Sequence, residues 1–290
     1  MKIDMIQLFI SRIPGLSTFE KIFVLDTFSV LKDLIYLKKH DLEYILNRKL
    51  TGVQFNSSTV LYESEKIFNS ILNSDIEIIN YNNQNYPSLL KEIYNPPFLL
   101  YKRGGAFRND RPSVAVIGTR KASKIALRAS YNLGLEMSDY KINLVSGLAL
   151  GIDQAAHKGV VSRKGYTLAV LGNGIDYIYP KENTALGHKI IDLDGVIISE
   201  YPPGTSPGKY NFPARNRIIS GLCRSVVVVE APDKSGALIT AEFALDQGRD
   251  VFIHQSSLSS SKGLGCRKLL FDGAGVISSL GDVFCFKEAV

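Results

Sequence analysis

The sequence predicts an α/β fold, an extended Rossmann-like, doubly wound and mostly parallel sheet preceded by a small helical domain. Three observations carry that expectation. Leu, Ile and Phe recur every three or four residues through 17–50, the period of amphipathic helices. From residue 113 the pattern changes to short, near-continuous β-branched runs, as strands covered on both faces of a parallel sheet require. Those runs alternate with helix-length segments, and such βαβ repetition winds into an open sheet through right-handed crossovers.

In chain order, Pro14-Gly15 and Thr51-Gly52 break the helical half, and ESEKIFNSILN (63–73) reads as a further amphipathic helix. The IPGLS stretch fits either a worn helix-hairpin-helix turn that could hold a phosphate or a packing or partner-binding element. Residues 75–112 read as a connector with a short strand, a Tyr86-Pro87 turn, a small helix and a second strand after Pro96-Pro97. The strands that follow are SVAVIG (113–118), INLVSG (142–147), YTLAVLG (166–172), GVIISE (195–200), SVVVVEA (225–231), DVFIH (250–254) and GVISS (275–279). Helices are expected between them, over 121–138, 151–162, 181–191, 237–247 and 263–273. SSLSSSKG (256–263) reads as a flexible loop. The domains are therefore 1–74 (helical), 75–112 (connector), 113–284 (Rossmann-like) and 285–290 (C-terminal tail).

With 290 residues the chain can bury a substantial core, and 45% apolar with 21% charged residues is ordinary for a globular protein. No apolar run approaches a membrane span, and the N-terminus makes a poor secretory signal, so a cytoplasmic location is expected. Cys223, Cys266 and Cys285 lack CxxC spacing and fit reduced thiols better than a zinc site or disulfides. The charge is uneven. Residues 1–100 hold 10 basic against 11 acidic side chains, whereas 101–290 hold 24 against 17. A basic domain beside a neutral one suits an anionic ligand, a nucleic acid or a phosphorylated small molecule, or serves solubility alone.

Ligands of open α/β sheets bind beyond the carboxyl ends of the strands. Those ends carry Gly118-Thr119-Arg120, Ser146-Gly147, Gly172-Asn173-Gly174 and Lys234-Ser235-Gly236, where glycines and helix N-termini let backbone N–H groups approach an anion. A Rossmann dinucleotide site needs Gly-x-Gly-x-x-Gly after the first strand; the chain has Gly118-Thr-Arg-Lys-Ala-Ser. It also needs an acid after the second strand, where Ser146 stands, and no Walker loop is present. No cofactor is expected. Instead, Arg120, Lys209, Arg215 and Arg217 interleave with Tyr210 and Phe212, a pattern of cations and aromatic faces suited to single-stranded nucleic acid. Against that stand a packing role for Phe212 and ion pairs of Arg215 or Arg217 with Glu200 or Glu230.

At these residues the sequence resembles the DprA/Smf family. The likeness covers about 80–280 and rests on ordered motifs: YPSLLKEIYNPPFLLYKRG, VAVIGTR, VSGLALGIDQAAHKG, LAVLGNGIDYIYPKEN, ISEYPPGTSPGKYNFPARNRIISGL and VVVVEAPDKSGALITAEFALDQGRDVF. The resemblance implies a SAM-like character for the helical domain, single-stranded-DNA binding, homodimers, and loading of the RecA recombinase during natural transformation. It implies no catalysis. It places DNA contacts on Arg120, Lys209 and Phe212. Gly118, Thr119, Ser146 and Gly147 join them as candidates on the strand ends, with Arg215, Asn216 and Arg217 after the fourth strand and Gly236 and Thr240 on the following helix. Two segments depart from the family: Ile253-His254-Gln255 stands where Val-Pro-Gly is usual, and Gly265-Cys266-Arg267 where Gly-x-Asn is usual. A winged-helix-like C-terminal domain is expected to be missing.

Two other readings compete. SGALITAEFAL loosely resembles the phosphate-holding helix start of nucleotide phosphoribohydrolases, whose chemistry wants a carboxylate such as Glu200, Glu230 or Glu242 in the site. His157 and His254 are weaker acid–base candidates, and Asp153 and Asp176 read as caps of helices or turns. The third reading is an adaptor that touches DNA only weakly.

Overall fold

The computed structural model describes residues 4–285, so the tail expected at 285–290 lies, beyond Cys285, outside the described residues. The helical half forms α1 (Met5–Arg12), α2 (Thr18–Thr27), α3 (Leu31–Ile35), α4 (Lys39–Ile45) and α5 (Ser57–Ile71). Ser17 and Glu20 cap α2 reciprocally, each accepting from the other's backbone N–H at 3.3 and 2.7 Å. Arg48 then bonds the Glu20 carboxylate and donates to the Gly15 carbonyl at 2.8 Å, holding Glu20 down at about 2. The IPGLS turn is thus tied down within its own domain, as a packing element would be.

The β-branched runs fold into a nine-stranded sheet. Its strands are β1 (Glu77–Asn80), β2 (Leu99–Gly104), β3 (Ser113–Gly118), β4 (Asn143–Ser146), β5 (Thr167–Leu171), β6 (Val196–Ser199), β7 (Ser225–Glu230), β8 (Asp250–His254) and β9 (Gly275–Ile277). The spatial order is β1-β2-β6-β5-β4-β3-β7-β8-β9. β3 to β9 pair in parallel, while β1 and β2 add antiparallel at the β6 edge. Residues 75–112 therefore do more than connect: both of their strands extend the main sheet and cover an edge that would otherwise offer unpaired backbone groups.

The helices that follow are α6 (Ser88–Lys91), α7 (Lys124–Asp139), α8 (Ile152–Ser162), α9 (Thr184–Asp192), α10 (Asn211–Gly221), α11 (Gly236–Asp246), α12 (Leu264–Phe271) and α13 (Leu280–Cys285). Side chains alternate across the sheet with the period of two that a strand imposes. Val114 and Val116 of β3 pack with Leu133 and Met137 of α7 and Ile152 and Ala156 of α8. Ala115 and Ile117 face the opposite way, with Ile218 and Ile219 of α10 and Ala237 and Ala241 of α11. A third cluster joins Leu8, Phe9 and Leu42 of the helical half to Tyr101 of β2, Leu171 of β5 and Ile197 of β6. Thr18 adds a hydrogen bond to the Pro96 carbonyl at 2.5 Å.

After β6 the chain crosses back to lay β7 on the other side of β3. The two series of parallel strands diverge there, and the loops beyond them part into a crevice.

Candidate nucleic-acid interface

A cleft of about 820 Å³ opens in that crevice. Gly118, Thr119 and Arg120 come to it from the end of β3, and Lys209, Phe212 and Asn216 from the start of α10. Gly236 and Thr240 come from the first turns of α11, whose N-terminal dipole end faces the cleft. A Cβ added at Gly236 would meet nothing within 4 Å, so the backbone here is open to a ligand. Nine of the twelve residues expected from sequence line this one space, Arg215 being the ninth.

Arg120 and Lys209 are exposed at the rim. The Arg120 guanidinium lies over the Phe212 ring, 5.4 Å from its centroid. Gly172 at the end of β5 makes room for that ring: a Cβ there would sit 2.7 Å from Phe212 Cδ1. Two further exposed cations line the cleft, Lys121 and Lys262, and the Lys262 ammonium donates to the Lys121 carbonyl at 2.6 Å. Lys121 could have been read from its place beside Arg120. Lys262 could not, because it lies in the serine-rich stretch expected to be flexible. That stretch is held: Ser260 donates to Glu230 at 2.5 Å, and Arg267 donates to the Leu258 and Ser260 carbonyls at 3.2 and 2.9 Å. Arg267, one of the departures from the family pattern, thus shapes this loop from within.

The floor differs. Arg215 is 5% exposed and directs Nη1 to the Gly147 carbonyl at 2.9 Å and to the Val170 carbonyl, and Nε to Asn216 Oδ1 at 3.2 Å. Burial lowers its pKa to about 10, with Asp153 pulling the other way. Asp153 is buried as well and accepts the Gly147 N–H at 3.1 Å, so that amide is spent internally. Burial raises the Asp153 carboxyl to about 6 against the pull of Arg215. Ser146 donates to the Val116 carbonyl at 2.6 Å. Ser146 and Gly147 therefore stand behind Arg215, outside the cleft lining. Arg217 lies outside it too: it forks onto Glu200 at 2.7 and 2.9 Å and donates to the Asn95 carbonyl at 2.9 Å. It ties α10 to β6 and to the 75–112 segment, the ion-pair alternative that the sequence left open.

Most of the acid–base candidates are similarly engaged. Glu230 is fully buried, accepting the Ser123 N–H at 2.8 Å at the start of α7 as well as the Ser260 hydroxyl. Glu242 is exposed and outside the cleft lining. Among the described residues Asp153 is the only acid lining the cleft. Asp176 accepts the Gly204 N–H at 3.0 Å, a loop clasp. His157 is buried in α8 with Nδ1 2.8 Å from Thr167 Oγ1. That hydroxyl donates to the Leu144 carbonyl, so His157 must donate through Nδ1 and leave Nε2 bare. Burial holds its pKa down at about 3. His254 bonds Ser256 at 2.8 Å and lines a separate cleft with Arg128.

At the opposite end of the sheet a cleft of about 610 Å³ carries Arg108, Arg111 and Arg224. Arg108 stacks on Tyr166 at 4.6 Å and Arg111 faces Asp110 at 3.9 Å, so two of its three arginines are engaged within the protein. No helix of the described residues is long and apolar enough to cross a membrane, and they hold no cluster of three metal-ligating side chains.

This architecture has known counterparts. The crystal structure of DNA processing protein A from Streptococcus pneumoniae superposes with a TM-score of 0.78 at 35% identity, covering 98% of both chains. That organism's DNA processing protein DprA is 44% identical over 198 residues, which is 68% of this chain and 70% of the relative. A Helicobacter pylori DNA processing protein A, solved to describe its single-stranded-DNA binding mode, matches with a TM-score of 0.65 at 29% identity, over 73% of this chain and 94% of that one. The family model described as DNA recombination-mediator protein A matches residues 77–287, from the first strand of the sheet to beyond the last described residue. The chain belongs to that family of DNA-processing recombination mediators.

Proposed function

We propose that this chain binds single-stranded DNA in the cleft at the carboxyl ends of β3 and β7. One observation carries the reading: four exposed cations, Arg120, Lys121, Lys209 and Lys262, line one cleft with an aromatic side chain, and the only acid among the described residues lining it is buried. Cations on the phosphates and an aromatic face for a base are what sequence-tolerant strand binding needs. The single-stranded-DNA binding of the H. pylori relative supports the same reading. Phosphate contacts fall to the four cations and to the open N-terminus of α11, with Gly118, Thr119, Asn216 and Thr240 shaping the walls. Arg215, Ser146 and Gly147 hold the floor, and Arg217 fixes α10. The protein acts as a cytoplasmic homodimer that protects incoming single strands and loads RecA on them during natural transformation.

The test is binding of a fluorescent dT oligonucleotide to wild-type, Arg120→Ala and Lys209→Ala proteins across a salt series. Four phosphates neutralised per subunit correspond to a slope of log K on log salt of about −3. Each variant should bind at least roughly tenfold more weakly, alike on every sequence, since backbone contacts carry no base information. Wild-type binding that ignores salt, or variants that bind as well as wild type, would overturn the reading. A positive result makes RecA filament assembly on the coated strand the next measurement.

A further inference from the structure

A second aromatic face lies beside the one in the cleft. The loop after β5 carries Tyr179, whose ring centroid lies 5.7 Å from that of Phe212 with the planes inclined by 34°. Phe212 itself is closely neighboured, with Arg120 over its ring and Gly172 at its edge. The more outward ring of the pair is Tyr179, 40% exposed. Exposure alone would not single it out, since Tyr44 at 88% and Tyr94 at 98% are more exposed. Tyr179 differs in packing against the aromatic residue that lines the cationic cleft.

Its loop is also held in place. Gly174 N donates to the Thr205 carbonyl at 2.8 Å, and the Tyr177 hydroxyl donates to the same carbonyl at 3.2 Å. Asp176 accepts the Gly204 N–H at 3.0 Å, and the buried Asn173 side chain donates to the Tyr177 carbonyl at 3.0 Å. The loop after β5 is thereby laced to the loop that delivers Lys209 and Phe212. An exposed ring on a braced loop loses little conformational freedom on meeting a ligand.

We propose that Tyr179 is a second base-stacking surface, taking the nucleobase next to the one at Phe212, and that the site reads at least two consecutive bases by their faces. The centroid spacing is too small for a base to slip between the two rings, so successive bases lie along the pair. This rests on strand binding at the cleft and deepens it.

The experiment compares two probes, a dT oligonucleotide and an abasic oligomer of the same length and charge, on Tyr179→Ala, Tyr179→Phe and Tyr179→Leu proteins. Stacking on one aromatic residue supports a loss of roughly tenfold on dT for Tyr179→Ala. The abasic probe should be bound as by wild type, Tyr179→Phe should retain dT affinity, and Tyr179→Leu should not. Equal losses on both probes would mean that the substitution only disturbs the loop, and an unchanged Tyr179→Ala would remove the stacking role; either overturns the proposal. If wild-type protein binds neither probe, strand binding at the cleft has failed first. If Arg120→Ala abolishes binding while Tyr179→Ala does not change it, only the second surface has failed.

Discussion

Arg120 and Arg215 both line the cleft, yet one belongs to its rim and the other to its floor. Arg120 is exposed, and its guanidinium lies over the face of Phe212. Arg215 is buried, opposite a buried carboxylate, with its Nε and Nη1 donors on two carbonyls and an amide oxygen. The difference teaches that a positive charge near an anion site can do two separate jobs. If a strand binds in this cleft, the rim cations meet it, and they cost little to keep in water. The floor cation organises the turn after β4 and the end of β5.

The sharpest way to break that comparison is to remove each arginine in turn. Arg215→Met leaves Asp153 without its compensating charge and the Gly147 and Val170 carbonyls without a donor. Removing one partner from a buried charged arrangement costs about 3–5 kcal/mol. Urea unfolding should show that loss for Arg215→Met and a change within about 0.5 kcal/mol for Arg120→Ala. The order should invert in DNA binding measured on folded protein. An Arg215 variant of wild-type stability, with DNA affinity as poor as that of Arg120→Ala, would place Arg215 among the ligand-binding cations.

A second test reaches below the floor, to the neighbouring helix. His157 is neutral when folded and resists protonation, its pKa held at about 3 against 6.5 when free. The unfolded chain therefore binds a proton between those values that the folded chain refuses. The stability associated with His157 is complete above pH 6.5 and drains away as pH falls toward 3, by up to about 1.4 kcal/mol per pH unit. Denaturant unfolding of wild type and His157→Gln over that window should show the variant losing stability less steeply. Parallel curves would mean that the ring is already protonated in the fold, and the bare Nε2 would then need a partner.

The same contrast shows what the sequence could disclose. The inner parallel strands were legible because a strand buried on both faces reads as a near-continuous apolar run, and the runs at 113–118 and 225–230 are mostly β-branched. The company of Arg120, Lys209 and Phe212 was legible because all three fall at strand ends or loops on one edge. The role of Arg215 was harder to see, although a signal existed. Arg215, Ile218, Ile219 and Leu222 follow the 0, 3, 4, 7 spacing of the inner stripe of a helix, and all four are buried. Phe212 and Asn216, one turn apart, form the stripe toward the cleft. Reading NFPARNR as a cluster of charges concealed that it is a helix with a side facing inward. Lys262 had no local signal at all, because the bonds that place it join segments 30 residues apart in sequence, Glu230 and Ser260.

That loop supplies the finest test of the rim. If Lys262 meets a phosphate, Lys262→Ala should weaken binding only a few-fold and make the slope of log K on log salt shallower by about 0.7, the share of one phosphate on a single strand. Ser260→Ala keeps the lysine but removes the bond to Glu230 that holds its loop against β7. If Lys262 works because it is positioned, the two substitutions should weaken binding alike while only Lys262→Ala changes the slope. If Ser260→Ala binds as wild type does, the ammonium reaches the strand from a mobile loop and the bracing by Glu230 serves stability alone. If Lys262→Ala leaves the slope unchanged, the rim has three cations, and the DNA passes on the Arg120–Lys209 side of the cleft.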